Sequence, residues 1–129
     1  FNEHKCSVIA IEDVPIDNVR QYGIINGDLI DSKNQIYRVN DMIEKPQISE
    51  APSSMAIIGR YILTPDIFKI LKNIQPDLNG EIQITNALLQ QAKQGQVIAL
   101  KFRGKRFDCG SVNGFIEATN FEFRKMLVT

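Results

Sequence analysis

Strand-like and helix-like stretches alternate along this chain, and the alternation favours a layered α/β fold with a mixed sheet and flanking helices. The run Cys6–Val14, "CSVIAIEDV", has a β-branched apolar core and then acids before Pro15, as a buried strand emerging into a loop does. "PIDNVRQ" then suits one short helical turn. Tyr22–Gly27 and Gln35–Lys45 read as strands of an antiparallel hairpin, with the polar "DLIDSKNQ" between them. Residues Pro46–Ser54 read as loop, and "MAIIGRYIL" gives a third strand whose central Gly59 marks a bulge or a close backbone approach. "LTPDIFKILKNI" predicts a helix with Thr64 as N-cap, Pro65 at its first position, and Ile67, Phe68 and Leu71 along one face. A second helical stretch, "GEIQITNALLQQAKQG", is closed by Gly95, and "QVIALKF" is a strand that leads through the tight turn "RGK" to "RFDCG". Ser111 caps a last helix carrying Val112, Phe115, Ile116, Phe123, Met126 and Leu127 at mostly helical spacing.

Composition excludes several functions. The 129 residues suffice for one domain with one core, and their apolar fraction of 43% is ordinary. With 15 basic and 15 acidic residues the formal charge is zero, so nucleic acid and anionic membranes are not expected partners, and any anion must be held by a local site. No apolar stretch approaches the roughly 20 residues of a membrane span. Cys6 and Cys109 are too few for a disulfide framework and suit reduced thiols in a cytoplasmic protein. The chain begins at Phe1 and not at methionine, so truncation is an expectation here.

Two short stretches carry candidate chemistry. In "EKP", Pro46 biases Lys45 towards an extended conformation, and neighbouring strand side chains point to opposite faces. One ligand can therefore meet Glu44 and Lys45 together only at the strand end, where a carboxylate accepts bonds from hydroxyls and an ammonium faces a phosphate. That pairing suits a sugar phosphate; the plain alternative is a solvated Glu–Lys pair. In "RFDCG", Asp108 lies where a strand gives way to a helix, a place where a carboxylate can hold magnesium against phosphates or simply cap the helix. Gly23 and Gly59 could admit a ligand close to the backbone, or serve a bulge or turn. His4, the only histidine, is expected at the surface, and no Ser-His-Asp set, zinc-ligand spacing or phosphate-cradling glycine loop is present.

Taken in order, "VIAIEDVP", "QYGII", "IEKP", "APSSMAIIGRYILTPDIF", "NGEIQITNALL" and "GKRFDCGSVNGFIEATNFEF" resemble the C-terminal half of the bacterial UTP-glucose-1-phosphate uridylyltransferase family over nearly the whole chain. The related glucose-1-phosphate thymidylyltransferases share the Glu-Lys-Pro element but differ before the aspartate. The resemblance implies the distal, sugar-phosphate-binding part, residues 1–129, of a Rossmann-like nucleotidyltransferase domain whose nucleotide-binding part is not in this sequence. It also implies UTP and glucose 1-phosphate as substrates, magnesium as cofactor, and a homo-oligomer when intact. Glu44 matches the glutamate that binds glucose hydroxyls, Lys45 the lysine on the sugar-side phosphate, Gly23 a glycine of the glucose pocket, and Asp108 a carboxylate near metal and phosphates. Catalytic roles are thus expected of Lys45 and Asp108, and a metal role of Asp108. Asn86 stands after Thr85 where the family commonly has aspartate. Two alternatives remain: a glucose-1-phosphate thymidylyltransferase, and a non-catalytic sugar-phosphate-binding or assembly module.

Overall fold

The computed structural model describes residues 1–128, in which five strands form one mixed sheet that closes on itself. The strands are β1 (Ser7–Asp13), β2 (Gly23–Asp31), β3 (Ile36–Glu44), β4 (Met55–Ile62) and β5 (Val97–Lys101). Their order around the ring is β1, β4, β2, β3, β5; β1 and β5 run parallel and every other pair is antiparallel. The parallel strands β1 and β5 are far apart in sequence, with β2, β3 and β4 between them, and the chain crosses from β4 to β5 by a helical connection. That crossover holds α1 (Ile67–Leu71) and α2 (Ile84–Lys93), while α3 (Val112–Val128) follows β5.

The mixed sheet and flanking helices agree with the sequence reading, but the periodicity did not disclose closure. It depends on β2 and β3; β2 runs longer than expected because Asp28–Asp31 continue the strand and leave only residues 32–35 as turn, while β3 keeps to the expected stretch. Two register shifts bend this ladder, after Asn26 and after Leu29; β3 lies against β2 along its whole length, and its Ile36–Arg38 end also pairs on the other edge with β5. Gly59 behaves as predicted: β4 gains residues against β1 between Ile57 and Tyr61, and Gly59 sits there at a φ of +84°.

The interior of the ring is filled by inward-facing β-branched residues, Ile9, Ile11, Ile25, Val39 and Val97 among them, and capped by Ala87, Leu88 and Ala92 of α2. Two polar residues share this buried face of α2, Thr85 and Gln91. Gln91 is satisfied completely: its Oε1 accepts the Ser7 hydroxyl at 2.8 Å, and its Nε2 donates to Thr64 Oγ1 and Asp66 Oδ2, each at 2.9 Å. The expected N-cap role of Thr64 is therefore corrected. Its hydroxyl belongs to this network, its own N–H donates to Ser7 Oγ, and the helix starts later and is shorter, with Asp66 at the N-cap position. Ile67 is buried as predicted, but Phe68 turns outward. Gly95, at a φ of +71°, closes α2, and the Ser111 hydroxyl caps α3 by accepting the Gly114 N–H at 3.1 Å. The apolar side chains of α3 stay exposed along its length. Cys6 is buried, Cys109 exposed, and both are free. No helix among the described residues is long and apolar enough to cross a membrane.

Candidate functional site

Gly23 and Glu44 face each other across the β2–β3 ladder, at its last pair before Pro46 turns the chain. Because Gly23 has no side chain, the carboxylate of Glu44 opens onto a cleft of about 250 Å³. A Cβ at position 23 would come within 3.1 Å of Glu44 Oε2 and of Ile57 Cδ1. Tyr22, Gly59, Tyr61, Gln83 and Thr85 complete the polar and backbone lining. This volume lies just under the range of about 300–1,000 Å³ usual for drug-sized ligands, which matches a ligand the size of one sugar ring.

The carboxylate is held in place. Thr85, buried in the first turn of α2, donates its hydroxyl to Glu44 Oε2, and the N-terminal end of that helix favours a negative charge nearby. Further lone pairs remain on the two carboxylate oxygens to receive hydroxyls from a ligand. Tyr61 also lines the cleft; burial, reinforced by the charge of Glu44, raises its pKa above the ordinary phenol value, so it remains a protonated donor at neutral pH. The loop that delivers Gln83 and Thr85 is folded around Asp77, whose Oδ1 accepts the N–H groups of Asn79 and Glu81 and whose Oδ2 accepts Gln83 Nε2 at 2.9 Å. The Gln83 bond is the main reason the Asp77 carboxyl titrates below its usual range, and the charge of Lys45 adds a smaller push in the same direction.

Lys45 departs from expectation. It was predicted extended, yet its φ is +46°, left-handed for a non-glycine residue. Its N–H donates to the Tyr22 carbonyl at 2.9 Å and so ties the end of the hairpin, while the next residue, Pro46, is buried. This tertiary anchoring overrides the local preference that a following proline imposes. The Lys45 side chain is exposed beside the cleft, outside its lining, and it forms no ion pair with Glu44.

Asp108 is separate from the cleft lining. Its Oδ1 accepts the Gly110 N–H at 3.0 Å, and its carbonyl accepts both the N–H and the hydroxyl of Ser111, so it shapes the turn into α3. Among the described residues no three His, Cys, Asp or Glu side chains converge as metal ligands. These residues alone do not make a magnesium centre; the lone Asp108 carboxylate fits only an ion carried in by phosphates, which commonly takes one or two protein carboxylates. The segment bearing Asp108 nevertheless reaches the cleft wall through Arg106, which bonds both Glu12 and the Tyr22 hydroxyl.

The structure thus brings Gly23 and Glu44 together, sets Lys45 at their rim, and leaves Asp108 on the neighbouring turn. Thr85, Tyr61 and Gln83 were not anticipated as site residues. Thr85 had a legible signal, since it shares one helical face with Leu88 and Ala92, where a hydroxyl needs a partner. Asn86 points to solvent, so its departure from the family pattern leaves the cleft unaltered. His4 is half-exposed.

The family model described as nucleotidyl transferase matches residues 2–125. A UTP–glucose-1-phosphate uridylyltransferase of Pseudomonas aeruginosa is 54% identical over all 129 residues, which make up 46% of that protein. A protein of Methanocaldococcus jannaschii described as a putative UTP–glucose-1-phosphate uridylyltransferase is 40% identical over 116 residues, which are 90% of this chain and 40% of its own length. Among solved structures, a UDP-glucose pyrophosphorylase complexed with UDP-glucose superposes with a TM-score of 0.87 at 51% identity, over 96% of this chain and 46% of the other. The chain thus spans about half the length of the relatives it matches.

Proposed function

The chain belongs to the nucleotidyl transferase family, and from that premise we propose that it forms the sugar-phosphate-binding part of an enzyme that makes UDP-glucose and pyrophosphate from UTP and glucose 1-phosphate. The similarity to uridylyltransferases and to a structure containing UDP-glucose supports this reading. The observation that carries it is the Gly23–Glu44 pair: a glycine opposite a buttressed carboxylate opens a cleft of monosaccharide size with a lysine at its rim. In the reaction a phosphate oxygen of glucose 1-phosphate attacks the α-phosphorus of UTP. That P–O bond forms as the bond to the β-phosphate oxygen breaks, and pyrophosphate leaves with the electron pair.

Such a transfer asks for alignment and charge neutralisation, not for a covalent nucleophile. Glu44, oriented by Thr85, accepts hydrogen bonds from sugar hydroxyls, and Tyr61 offers a further donor in the cleft lining. The Lys45 ammonium, just outside, meets the phosphate that follows the anomeric carbon. Magnesium borne by the phosphates would spread their developing charge, with Asp108 as the carboxylate this chain offers it. The nucleotide-binding half belongs, in this proposal, to sequence outside these 129 residues, so the isolated chain binds the sugar phosphate without turnover. UTP chemistry and two free thiols suit a cytoplasmic setting, and the exposed apolar side chains of α3 suit packing within a larger protein or a homo-oligomer.

Titration of the 15N-labelled chain with glucose 1-phosphate, galactose 1-phosphate and inorganic phosphate tests the reading. Saturable shifts of the Gly23, Glu44 and Thr85 amides, tightest with glucose 1-phosphate, are expected. No shift with any of the three, or equal response to inorganic phosphate alone, would overturn it.

A further inference from the structure

Arg106 lies in the loop after β5, away from the lining of the sugar cleft, yet its half-buried guanidinium joins two separate elements. Its Nε donates to Glu12 Oε1 at 2.6 Å, near the end of β1, and its Nη2 donates to Tyr22 Oη at 2.9 Å, immediately before β2. The guanidinium carbon also stands 5.4 Å from the centre of the Tyr22 ring. Tyr22 is the hinge of the cleft: it lines the cavity, its carbonyl accepts the Lys45 N–H, and it precedes Gly23. We propose that Arg106 is a positioning residue for the sugar-phosphate cleft, locking Tyr22 so that the left-handed Lys45 and the Gly23–Glu44 pair keep their places.

The inference rests on the proposed function only for the ligand, glucose 1-phosphate. An ordinary surface ion pair contributes little, because solvent and side-chain entropy cancel most of its attraction. Arg106 differs in that Glu12 and Arg106 are each only about a quarter exposed (25% and 27%), and its planar fork serves two acceptors in different directions at once. A lysine is a point charge that can satisfy one of these acceptors but not reproduce the fork. The consequence reaches the site through the Tyr22 ring to its backbone, whose carbonyl accepts the Lys45 N–H and whose next residue is Gly23.

The test uses Tyr22→Phe, which removes only the acceptor, together with Arg106→Met and Arg106→Lys. Hydrogen exchange of the Lys45 amide is compared with that of the core amides of Ile9 and Val97, and affinity for glucose 1-phosphate is measured alongside. In all three variants exchange at Lys45 is expected to accelerate about tenfold with the core amides unchanged, and glucose 1-phosphate is expected to bind roughly three- to tenfold more weakly, the effect of about one lost hydrogen bond. Combining Tyr22→Phe with Arg106→Met should add nothing further. Unaltered exchange at Lys45, or acceleration shared equally by the core amides, overturns the proposal. If the parent chain does not bind glucose 1-phosphate the proposed function falls, while exchange at Lys45 still decides whether Arg106 positions this corner.

Discussion

Replacing Gly23 by alanine places one methyl group at the floor of the cleft, and its consequences follow from the surrounding distances. The new Cβ would sit 3.1 Å from Glu44 Oε2, 3.1 Å from Ile57 Cδ1 and 3.5 Å from Thr85 Oγ1. Ordinary contact lies at about 3.5–4.0 Å, so the first two atoms must withdraw by a few tenths of an ångström. Ile57 can rotate its terminal methyl. Glu44 Oε2 cannot shift without disturbing the hydrogen bond it accepts from Thr85, whose Oγ1 is itself the third atom near the new methyl. Gly23 is not among the residues with left-handed backbone, so alanine brings no conformational strain, and the overpacking cost to stability should stay near the low end of about 1–3 kcal/mol. Binding suffers more, because the methyl both occupies the cavity and turns the carboxylate. Losing one hydroxyl-to-carboxylate bond is worth about 1.5–3 kcal/mol, or roughly 10- to 150-fold in affinity for glucose 1-phosphate. Isothermal titration of the Gly23→Ala chain beside a thermal melt separates the two effects. An alanine variant that folds and binds as the parent does would remove Gly23 and the floor of this cleft from the sugar site.

Lys45→Ala should lower affinity for glucose 1-phosphate roughly tenfold to a hundredfold while leaving the response to glucose alone unchanged, as titration with both ligands would reveal. Gln91→Ala removes the acceptor that the Ser7 hydroxyl meets at 2.8 Å and opens a cavity where the side chain is fully buried, so a loss of about 2–4 kcal/mol in urea unfolding is expected. Asp66 is held below its usual carboxyl value chiefly by the Thr64 hydroxyl and then by Gln91, and Asp77 chiefly by Gln83. A depressed folded-state value means these groups stabilise the fold above the unfolded value of about 3.9 and cease to do so as pH falls through the lower folded values. Melts across that acid range should therefore show a declining midpoint, with a shallower slope in Asp66→Asn.

The parts of this fold that could be read from sequence are those decided by near neighbours. Gly95 ends α2 because glycine reaches the left-handed region cheaply, Ser111 caps α3 three residues ahead of Gly114, and Gly59 breaks the register of β4. Misreadings arose where a distant residue won the local partner. "TPD" has the composition of a helix start, but the Thr64 hydroxyl is taken by Gln91, 27 residues on, and its N–H by Ser7, 57 residues back. The shortened helix then lets Phe68 turn outward. In the cleft lining, Gly23 and Glu44 were named from sequence, while Thr85 and Tyr61 were not, since Thr85 arrives only when α2 packs against the end of β3 and Tyr61 only when β4 joins the ring.

The left-handed backbone at Lys45 explains how two adjacent residues can serve one ligand. In a continuing strand their side chains would leave opposite faces, and the ammonium would point away from the cleft face that carries Glu44. A φ of +46° ends the pleat at that residue, and the bond from its N–H to the Tyr22 carbonyl sustains the conformation against the preference imposed by Pro46. A left-handed conformation at a non-glycine residue commonly costs about 1–2 kcal/mol, so the surrounding contacts must offset it. Tyr22 supplies one such contact directly, and Arg106 supports Tyr22 from behind. Glycine at position 45 would take this turn at lower cost but carry no charge. In the proposed function this strand end would divide the work: a carboxylate kept on the pleat for the sugar hydroxyls, and a cation turned off it for the phosphate.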